Sequence, residues 1–241
     1  MEIKRKNDTD IILTILMPCL NEENAVGESV DEAERFLQDS GIPGEILIVD
    51  NASKDASAKV AEAHGARVIY EPRRGYGRAI RTGLSEMRGI AVMIGDCDTT
   101  YDFYHMKPMV KALLSGKYDM VIGDRFAGGI EKGAMPFSHR FGAGMLSFLA
   151  RRFLHSKVRD FHCGLRGLTR DAVEKMDLRT DGMEFATEMI REAEKHHLRI
   201  AQGAVVLRKC TAERKSKLKT VRDGMRHLVY ILKEWRQMRH K

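Results

Sequence analysis

Two carboxylates stand one residue apart, directly after a short apolar run of this 241-residue sequence. Asp96 and Asp98 follow the run Ile90–Ile94, which predicts a buried strand of a parallel sheet. In open α/β sheets, ligands bind beyond the carboxyl ends of the strands. Mg²⁺ uses one or two carboxylates and completes its shell with waters and substrate phosphate oxygens. The pair indicates such a cation site, although an ordinary polar loop after a strand has the same short pattern.

Two more acidic residues follow earlier predicted strands, at positions that should meet at the same edge of the sheet. Glu22 comes after the strand Ile11–Met17, and Asp50 comes directly after the strand Glu45–Val49. An acid beyond a strand accepts hydrogen bonds from ribose in dinucleotide-binding folds. We therefore expect Asp50 to accept from a nucleobase or a ribose.

A basic, glycine-rich segment precedes another predicted helix, and its sequence is Arg73-Arg74-Gly75-Tyr76-Gly77-Arg78. Cations and close backbone approach at a helix N-terminus both suit a phosphate group. The segment is not a complete G-x-G-x-x-G, because Ile80 stands at the third glycine position. No P-loop motif is found either, which disfavours nicotinamide enzymes and P-loop NTPases.

Alternating strands and helices must position these groups. Strands are predicted at Ile11–Met17, ending at Pro18, then at Glu45–Val49, Arg67–Tyr70, Ile90–Gly95 and Met120–Gly123. The second helix is predicted to have Ser53 as its N-cap and to end at His64, before Gly65. This alternation predicts an α/β fold with a mostly parallel sheet flanked by helices.

The composition is that of a soluble globular protein, with 43% hydrophobic and 31% charged residues. The four cysteines are far apart and form no C-x-x-C pair, which argues against zinc and disulfide frameworks and fits a reducing cytoplasm. No apolar run reaches the roughly 18 residues of a membrane-spanning helix. We therefore expect a cytoplasmic protein without a transmembrane segment.

The net charge of +7 is concentrated after Arg208. A basic tail is typical of proteins with an anionic partner, such as nucleic acid, a phosphorylated ligand or anionic lipid, but also of a merely solvated surface. Nucleic acid is disfavoured, because few aromatic residues are interleaved with the basic ones and no binding motif is present.

Two stretches, Phe137–Leu154 and Val221–Trp235, combine an apolar helical face with basic residues. The apolar positions of the first are Phe137, Phe141, Met145, Phe148, Leu149 and Phe153, and its basic residues include Arg140, Arg151 and Arg152. A core helix and a helix that lies on a membrane surface share this pattern. Both interpretations remain open from the sequence, for both stretches.

The ordered set of motifs resembles the family 2 glycosyltransferases, from about Ile11 to Leu228. The matching segments are Pro18-Cys19-Leu20-Asn21-Glu22, Val49-Asp50-Asn51-Ala52-Ser53-Lys54-Asp55, Arg74-Gly75-Tyr76-Gly77 and Gly95-Asp96-Cys97-Asp98. Tyr101-Asp102 and Gly123-Asp124-Arg125-Phe126 resemble the branch that acts on polyprenyl phosphates, which includes dolichyl-phosphate mannosyl- and glucosyltransferases. In the second half, the segments Asp160–Gly167, Gly182–Met189 and Lys215–Leu218 resemble the same branch.

The resemblance implies a GT-A fold, the Rossmann-like fold of nucleotide-diphospho-sugar transferases, over residues 1–210, followed by a basic amphipathic helix over 211–241. It implies that Asp96 and Asp98 bind Mg²⁺ or Mn²⁺ and act in catalysis together with Arg125. The implied donor- and phosphate-binding residues are Pro18, Leu20, Glu22, Val49, Asp50, Asn51, Arg74, Gly75, Arg78, Cys97, Arg140, Glu184 and Lys217.

The implied reaction is inverting transfer of a glucose- or mannose-type hexose from a nucleotide-diphosphate sugar to a polyprenyl (dolichyl) phosphate. A phosphate monoester is largely dianionic at neutral pH and needs no general base, which fits the lack of a Ser/His/Asp arrangement near these motifs. We expect the enzyme to bind peripherally to the cytoplasmic face of an anionic membrane. The alternative is a soluble acceptor, either a phosphorylated metabolite or a sugar. The sequence does not predict an oligomeric state.

Overall fold

A computed structural model describes residues 11–211 and 220–239 of the chain. Its strands are β1 Leu13–Cys19, β2 Gly44–Asp50, β3 Arg67–Tyr70, β4 Ala91–Ile94, β5 Met120–Asp124, β6 Arg166–Thr169 and β7 Ile200–Ala204. Its helices are α1 Val26–Ser40, α2 Ser57–Ala63, α3 Tyr76–Glu86, α4 Lys107–Leu114, α5 Arg125–Gly128, α6 Phe137–Leu154, α7 Arg170–Lys175, α8 Phe185–Lys195 and α9 Thr220–Arg239. A 3₁₀ turn, Tyr104–Met106, precedes α4.

The seven strands form one sheet in the order β3-β2-β1-β4-β6-β5-β7. All neighbours are parallel except β6, which runs antiparallel to both β4 and β5. The prediction of a mostly parallel α/β sheet is therefore confirmed. The carboxyl ends of six strands lie at one edge, and β6 begins at that edge because Arg166 pairs with Ile94, the last residue of β4.

Strand β1 extends past the predicted stop at Pro18 and ends at Cys19. Proline is normally confined to edge strands, because it cannot donate to the ladder. The β1–β4 ladder ends where Leu16 pairs with Ile94, so Pro18 lies beyond it and pairs only with β2. A proline is tolerated in this central strand because its neighbour on one side has already ended.

The predicted cap of the second helix was wrong. Helix α2 begins at Ser57, and the side chain of Asp55 accepts from the Ser57 N–H at 3.1 Å, which satisfies that donor. Ser53 accepts instead from the N–H of Asn21 at 2.9 Å, and the Ser57 hydroxyl accepts from the N–H of Glu22 at 2.7 Å. These bonds tie the loop after β1 to the loop after β2.

The last helix packs against α6 and α8. Ile231 is fully buried on its inner side, whereas Met225 and Val229 are exposed on its outer side. None of the helices that the structure describes combines the length and apolarity needed to cross a bilayer.

Candidate active site

The predicted metal carboxylates lie just beyond β4, in different environments. Asp98 is buried, and its Oδ1 accepts from the N–H of Thr100 at 3.0 Å and from the Thr100 hydroxyl. Asp96 is half-buried, and its Oδ2 lies against Gly164 in the loop before β6, where a Cβ atom would be 2.8 Å away. Asp98 is thus positioned by its own turn, and Asp96 by a loop that is distant in sequence.

Two tyrosines adjoin these carboxylates. Burial raises the pKa of Tyr76, and the negative charges of Asp96 and Asp98 raise it further. Burial also raises the pKa of Tyr101 well above its ordinary value, and its hydroxyl accepts from the N–H of Gly164 at 2.7 Å. Like ordinary tyrosines, both phenols are protonated and neutral at neutral pH. The negative charge beside the predicted cation site therefore comes from the carboxylates.

The donor set fits a hard divalent cation that takes further ligands from the substrate. In residues 11–211 and 220–239, no three His, Cys, Asp or Glu side chains are grouped so as to hold a metal by themselves. Two carboxylates suffice for Mg²⁺, which keeps waters and substrate phosphates in its shell, and oxygen ligands also suit Mn²⁺. Asp96 and Asp98 are the residues that would hold it.

Asp50 carries an acceptor that the described residues leave without a partner. Its side chain is buried at the end of β2, and its Oδ2 accepts from the N–H of Ser53 at 3.2 Å. Its Oδ1 is buried and has no hydrogen-bond partner in the part of the chain that the structure describes. A buried unpaired acceptor is costly, and this one fits a donor group on a nucleobase or ribose.

The side chain of Asn51, a residue predicted to bind the donor, holds the glycine-rich loop. Its Nδ2 donates to the carbonyls of Glu71 and Arg73 at 3.2 and 2.8 Å, and its Oδ1 accepts from the N–H of Gly75 at 2.7 Å. A buried amide with these three bonds holds the loop in place and positions Gly75, while contact of Asn51 with the donor stays a prediction.

Of Arg74 and Arg78, the two arginines of that segment that are predicted to bind the donor, Arg74 is the exposed one. Arg74 is exposed, and its Nη2 donates to the carbonyl of Ala52 at 3.3 Å, next to the Asp50 turn. Arg78 is paired with Asp181, which also binds Arg81. Arg74 is therefore the more accessible candidate for a phosphate, and the predicted binding role of Arg78, which is paired with Asp181, stays a prediction.

Arg125, predicted to act in catalysis, forms a buried ion pair. Its guanidinium is buried in a bidentate pair with Asp160, with Nε–Oδ2 at 2.7 Å and Nη2–Oδ1 at 2.9 Å. Arg159 reaches Asp124 at 3.3 Å beside it. The two pairs join the end of β5 to the loop before β6, so Arg125 positions that loop, and its part in catalysis stays a prediction.

Arg140 is exposed on α6 and lines an apolar groove of about 450 Å³. The other lining residues are Phe126, Phe137, Phe141, Gly144, Met145 and Phe148. Phe137 is 81% exposed and Phe141 is 64% exposed, whereas α6 buries Ser147, Ala150 and Leu154 on its inner side. The predicted apolar face is therefore mainly an outer surface, except that Phe153 packs on Trp235 of α9.

Glu184 precedes α8, and its two carboxylate oxygens differ in their hydrogen bonding. Its Oε1 accepts from Nη2 of Arg226 at 2.7 Å, while its Oε2 is buried without a partner among the described residues. Glu188 accepts from the N–H of Arg179 and of Thr180 at 3.0 and 2.9 Å, which makes it a structural brace.

The remaining predicted residues within the described part of the chain lie at or just beyond the carboxyl ends of β1, β2 and β4. The Cys97 thiol donates to the carbonyl of Pro18 at 3.3 Å. A hydrogen bond with Cys19 and burial raise the pKa of Cys97 well above its ordinary value, so the thiol stays protonated. Val49 is fully buried, Glu22 is buried and Leu20 is half-buried. Lys217 lies outside the described residues.

Sequence reasoning missed the acids that engage the arginines. Asp160 is completely buried against Arg125, and Asp181 binds two arginines of α3. Neither pairing follows a helical or strand period, because the partners lie on segments far apart in the chain. The motif around Asp160 marked the segment but did not identify this contact.

Comparison with known proteins places this geometry in context. A family model described as Glycosyl transferase family 2 matches residues 14–177. Over 234 residues the chain is 35% identical to the low-salt glycan biosynthesis hexosyltransferase Agl6 of Haloferax volcanii, a match that covers 96% of this chain and 56% of that protein. It is 28% identical over 203 residues to the dolichyl-phosphate hexose transferase of the same organism, covering 84% and 86%. The chain thus spans little more than half the length of Agl6.

Among solved structures, glucosyl-3-phosphoglycerate synthase from Mycobacterium tuberculosis with phosphoglyceric acid matches with a TM-score of 0.74 and 21% identity, covering 92% of this chain and 79% of that chain. The same enzyme with Mn²⁺, uridine diphosphate and glucosyl-3-phosphoglycerate matches with a TM-score of 0.72 and 21% identity, covering 93% and 80%. The likeness shows that the fold is that of the GT-A glycosyltransferases.

Proposed function

We propose that this chain, which belongs to glycosyl transferase family 2, transfers a hexose from a nucleotide-diphosphate sugar to a polyprenyl phosphate. The observation that carries this proposal is the apolar groove on α6 with the exposed guanidinium of Arg140 on its wall. An anionic head group with a long apolar tail matches both features. The name of one relative, the dolichyl-phosphate hexose transferase, supports the same class of acceptor.

The donor lies across the carboxyl edge of the sheet in this proposal. The unpaired Oδ1 of Asp50 accepts from the base or the ribose, and exposed Arg74 approaches the diphosphate from the glycine-rich loop. Arg–phosphate hydrogen bonds are charge-assisted and directional, so the two contacts together orient the sugar toward the loop before β6.

A divalent cation on Asp96 and Asp98 supplies Lewis-acid stabilisation of the charge that develops on the leaving diphosphate. The Mn²⁺ and uridine diphosphate in the structure of the mycobacterial synthase support a divalent cation here. Gly164 leaves the space that the Asp96 carboxylate occupies.

Residues of this chain then bind the acceptor phosphate and orient it toward the anomeric carbon. An oxygen of the phosphate dianion forms a bond to the anomeric carbon as the bond from that carbon to the diphosphate oxygen breaks. One displacement inverts the anomeric configuration, and the dianion carries no proton that a base would have to remove. Arg140 holds the phosphate, and the buried Arg125–Asp160 pair fixes the loop beside it.

A soluble phosphorylated acceptor is the second candidate. The mycobacterial synthase binds phosphoglyceric acid, and this chain shares its fold. The anion-binding part of the site suits either acceptor, because Arg140 recognises the phosphate in both. The polyprenyl acceptor also provides an apolar partner for Phe137, Phe141 and Phe148, which are exposed along one side of a helix.

The acceptor proposal includes peripheral binding to the cytoplasmic face of a membrane. Exposed apolar residues of α6 and α9, among them Phe137, Phe148, Met225 and Val229, stand on the outside of two helices that pack together. Exposed Arg152 and Lys157 follow on the same segment. Each basic residue near an anionic surface contributes about 1 kcal/mol of attraction, which salt screens.

A panel of nucleotide sugars tests the function through release of nucleoside diphosphate. We expect release with one or a few donors to depend on a polyprenyl phosphate in vesicles, and to exceed release with phosphoglyceric acid. Arg140→Ala should lower this activity at least about tenfold, the scale of a lost charged hydrogen bond, whereas Arg35→Ala on the exposed side of α1 serves as control. Equal release with the soluble acceptor would favour the second candidate.

Sedimentation with vesicles tests the membrane component separately. The chain should pellet with anionic vesicles at low salt and less with neutral ones. Phe137→Ser with Phe141→Ser, and Arg152→Glu alone, should each reduce pelleting. Equal sedimentation of wild type and variants with both vesicle types would contradict a role for this surface.

A further inference from the structure

An ion pair joins the last helix to the segment that precedes α8. Nη2 of Arg226 lies 2.7 Å from Oε1 of Glu184, which is buried. Gly182 leaves room for this contact, because a Cβ atom there would lie 2.5 Å from the Arg226 guanidinium and 2.6 Å from Oε2 of Glu184. A larger residue at position 182 would separate the two partners or shift both.

The same short segment touches the glycine-rich loop on its other side. The carbonyl of Asp181 accepts from the N–H of Gly77 at 3.0 Å, and the Asp181 carboxylate binds Arg78 and Arg81. A Cβ atom on Gly77 would lie 2.5 Å from the carbonyl oxygen of Thr180. Residues 180–184 are therefore packed between the start of α3 and the last helix.

Helix α9 holds Arg226 in place through its neighbours. His227 is buried, and its Nδ1 shares a hydrogen bond of 2.8 Å with the Thr187 hydroxyl on α8. Its ring meets that of His162 edge to face, with centroids 4.5 Å apart, and Ile231 is fully buried one turn later. The backbone of Arg226 is thus held by a helix that is packed against α8.

We infer that Arg226 is a positioning residue for the nucleotide-sugar site, acting through Glu184 and the segment 180–184 on the loop Arg73–Arg78. Arg226 compensates the buried charge of Glu184. Without that partner we expect the carboxylate to move toward water, which displaces Asp181 and the loop that it holds. The Arg226 side chain is itself 38% exposed, so the cost of removing it falls mainly on the buried carboxylate that is left without a partner. The inference rests on the proposed function, because it assumes that this loop binds a diphosphate.

Calorimetry with uridine diphosphate and guanosine diphosphate, each with Mn²⁺, measures the effect without any acceptor. Arg226→Ala should weaken binding about tenfold, which is within the range of coupling between residues of one network. Arg226→Lys should restore most of the affinity, because it returns a cation to Glu184. Arg236→Ala, at an exposed position of the same helix, should leave binding unchanged.

A double-mutant cycle separates this role from a general loosening of α9. On a Glu184→Gln background, which has no charge to compensate, Arg226→Ala should change the affinity less than about twofold. Equal losses on both backgrounds would overturn action through Glu184. If Arg226→Ala does not fold, Gly182→Ala carries the test, since it displaces the guanidinium while keeping every charge, and it should weaken binding similarly.

The outcomes distinguish the inference from the function beneath it. Unchanged nucleotide affinity in Arg226→Ala and in Gly182→Ala, with a wild type that binds, would overturn the inference and leave the proposed function standing. A wild type that binds neither nucleotide and releases none from the panel of nucleotide sugars would overturn both.

Discussion

Oδ2 of Asp96 lies so close to Gly164 that a Cβ atom on the glycine would stand 2.8 Å from it. The N–H of the same glycine donates to the hydroxyl of Tyr101 at 2.7 Å. The loop before β6 therefore packs closely against the Asp96 carboxylate after β4. In the proposed reaction, this contact places the acceptor side directly against a cation ligand.

Gly164→Ala should impair transfer while leaving the chain folded. The added methyl group must displace either the Asp96 carboxylate or the Tyr101 ring, and a misplacement of about 1 Å can cost about 100-fold in rate. Steady-state release of nucleoside diphosphate measures the loss, and circular dichroism checks the fold. Gly224→Ala, where a Cβ atom meets nothing within 4 Å, is the matched control. Wild-type turnover in Gly164→Ala would show that the contact is unimportant for transfer.

Asp96→Asn and Asp98→Asn should each abolish transfer without unfolding the protein. The amide keeps the shape of the side chain, and at position 98 an oxygen can still accept from the Thr100 N–H, but a negative ligand for a hard cation is lost. Turnover should also require Mg²⁺ or Mn²⁺ and stop in excess chelator. Full activity in chelator would contradict the assignment of both residues.

Asp50→Ala should weaken binding of the nucleoside diphosphate by roughly 1–3 kcal/mol, the cost of leaving a buried polar partner unpaired. Calorimetry without acceptor measures this directly. Ser53→Ala is the control, since it keeps the N–H that donates to Oδ2 of Asp50. If Asp50→Ala binds as tightly as wild type, then Asp50 only shapes the turn after β2.

Arg125→Met should act mainly on stability. It leaves Asp160 buried and uncompensated, and breaking a buried pair costs roughly 3–5 kcal/mol. Urea unfolding measures the loss, and Arg125→Met with Asp160→Leu should recover much of it. Removing Arg199 from its largely exposed pair with Asp119 should cost at most about 1 kcal/mol. Unchanged stability with lost activity would instead favour direct phosphate contact by Arg125.

His227 should make the protein less stable in mild acid. Burial lowers the pKa of His227 to about 4, whereas an exposed histidine titrates near 6.5. The unfolded chain therefore takes up the proton first as the pH falls from about 6.5 toward 4, and stability present above that window is lost within it. Between about pH 7.5 and pH 5, wild type should lose about 2 kcal/mol more than His227→Gln.

The sequence predicted the strand–helix alternation and the edge where the polar groups meet, because apolar runs and turn residues report those features locally. It did not predict the antiparallel direction of β6, since a short strand carries no sign of its neighbours. It also could not tell which arginine faces a ligand. Arg125 and Arg140 look alike in sequence, yet one is buried against Asp160 and the other is exposed.

The same limit applies to α6. Its apolar spacing predicted either a core helix or a surface helix, because both place apolar residues on one side. Only the packing of Ser147, Ala150 and Leu154 toward the interior shows that Phe137 and Phe141 face outward. A sequence reports which residues share a helix face but not what covers that face.

The reversed direction of β6 has a consequence for how such a chain can diversify. Because β6 enters the sheet from the edge that holds the site, the preceding segment, residues 155–165, reaches the site without altering any strand pairing. Selection can change that segment to suit a new acceptor while the donor half stays intact. Asp160 and Gly164 limit this freedom, since one compensates Arg125 and the other makes room for Asp96. Sequence changes that alter acceptor specificity should therefore concentrate on residues 161–163 and 155–159.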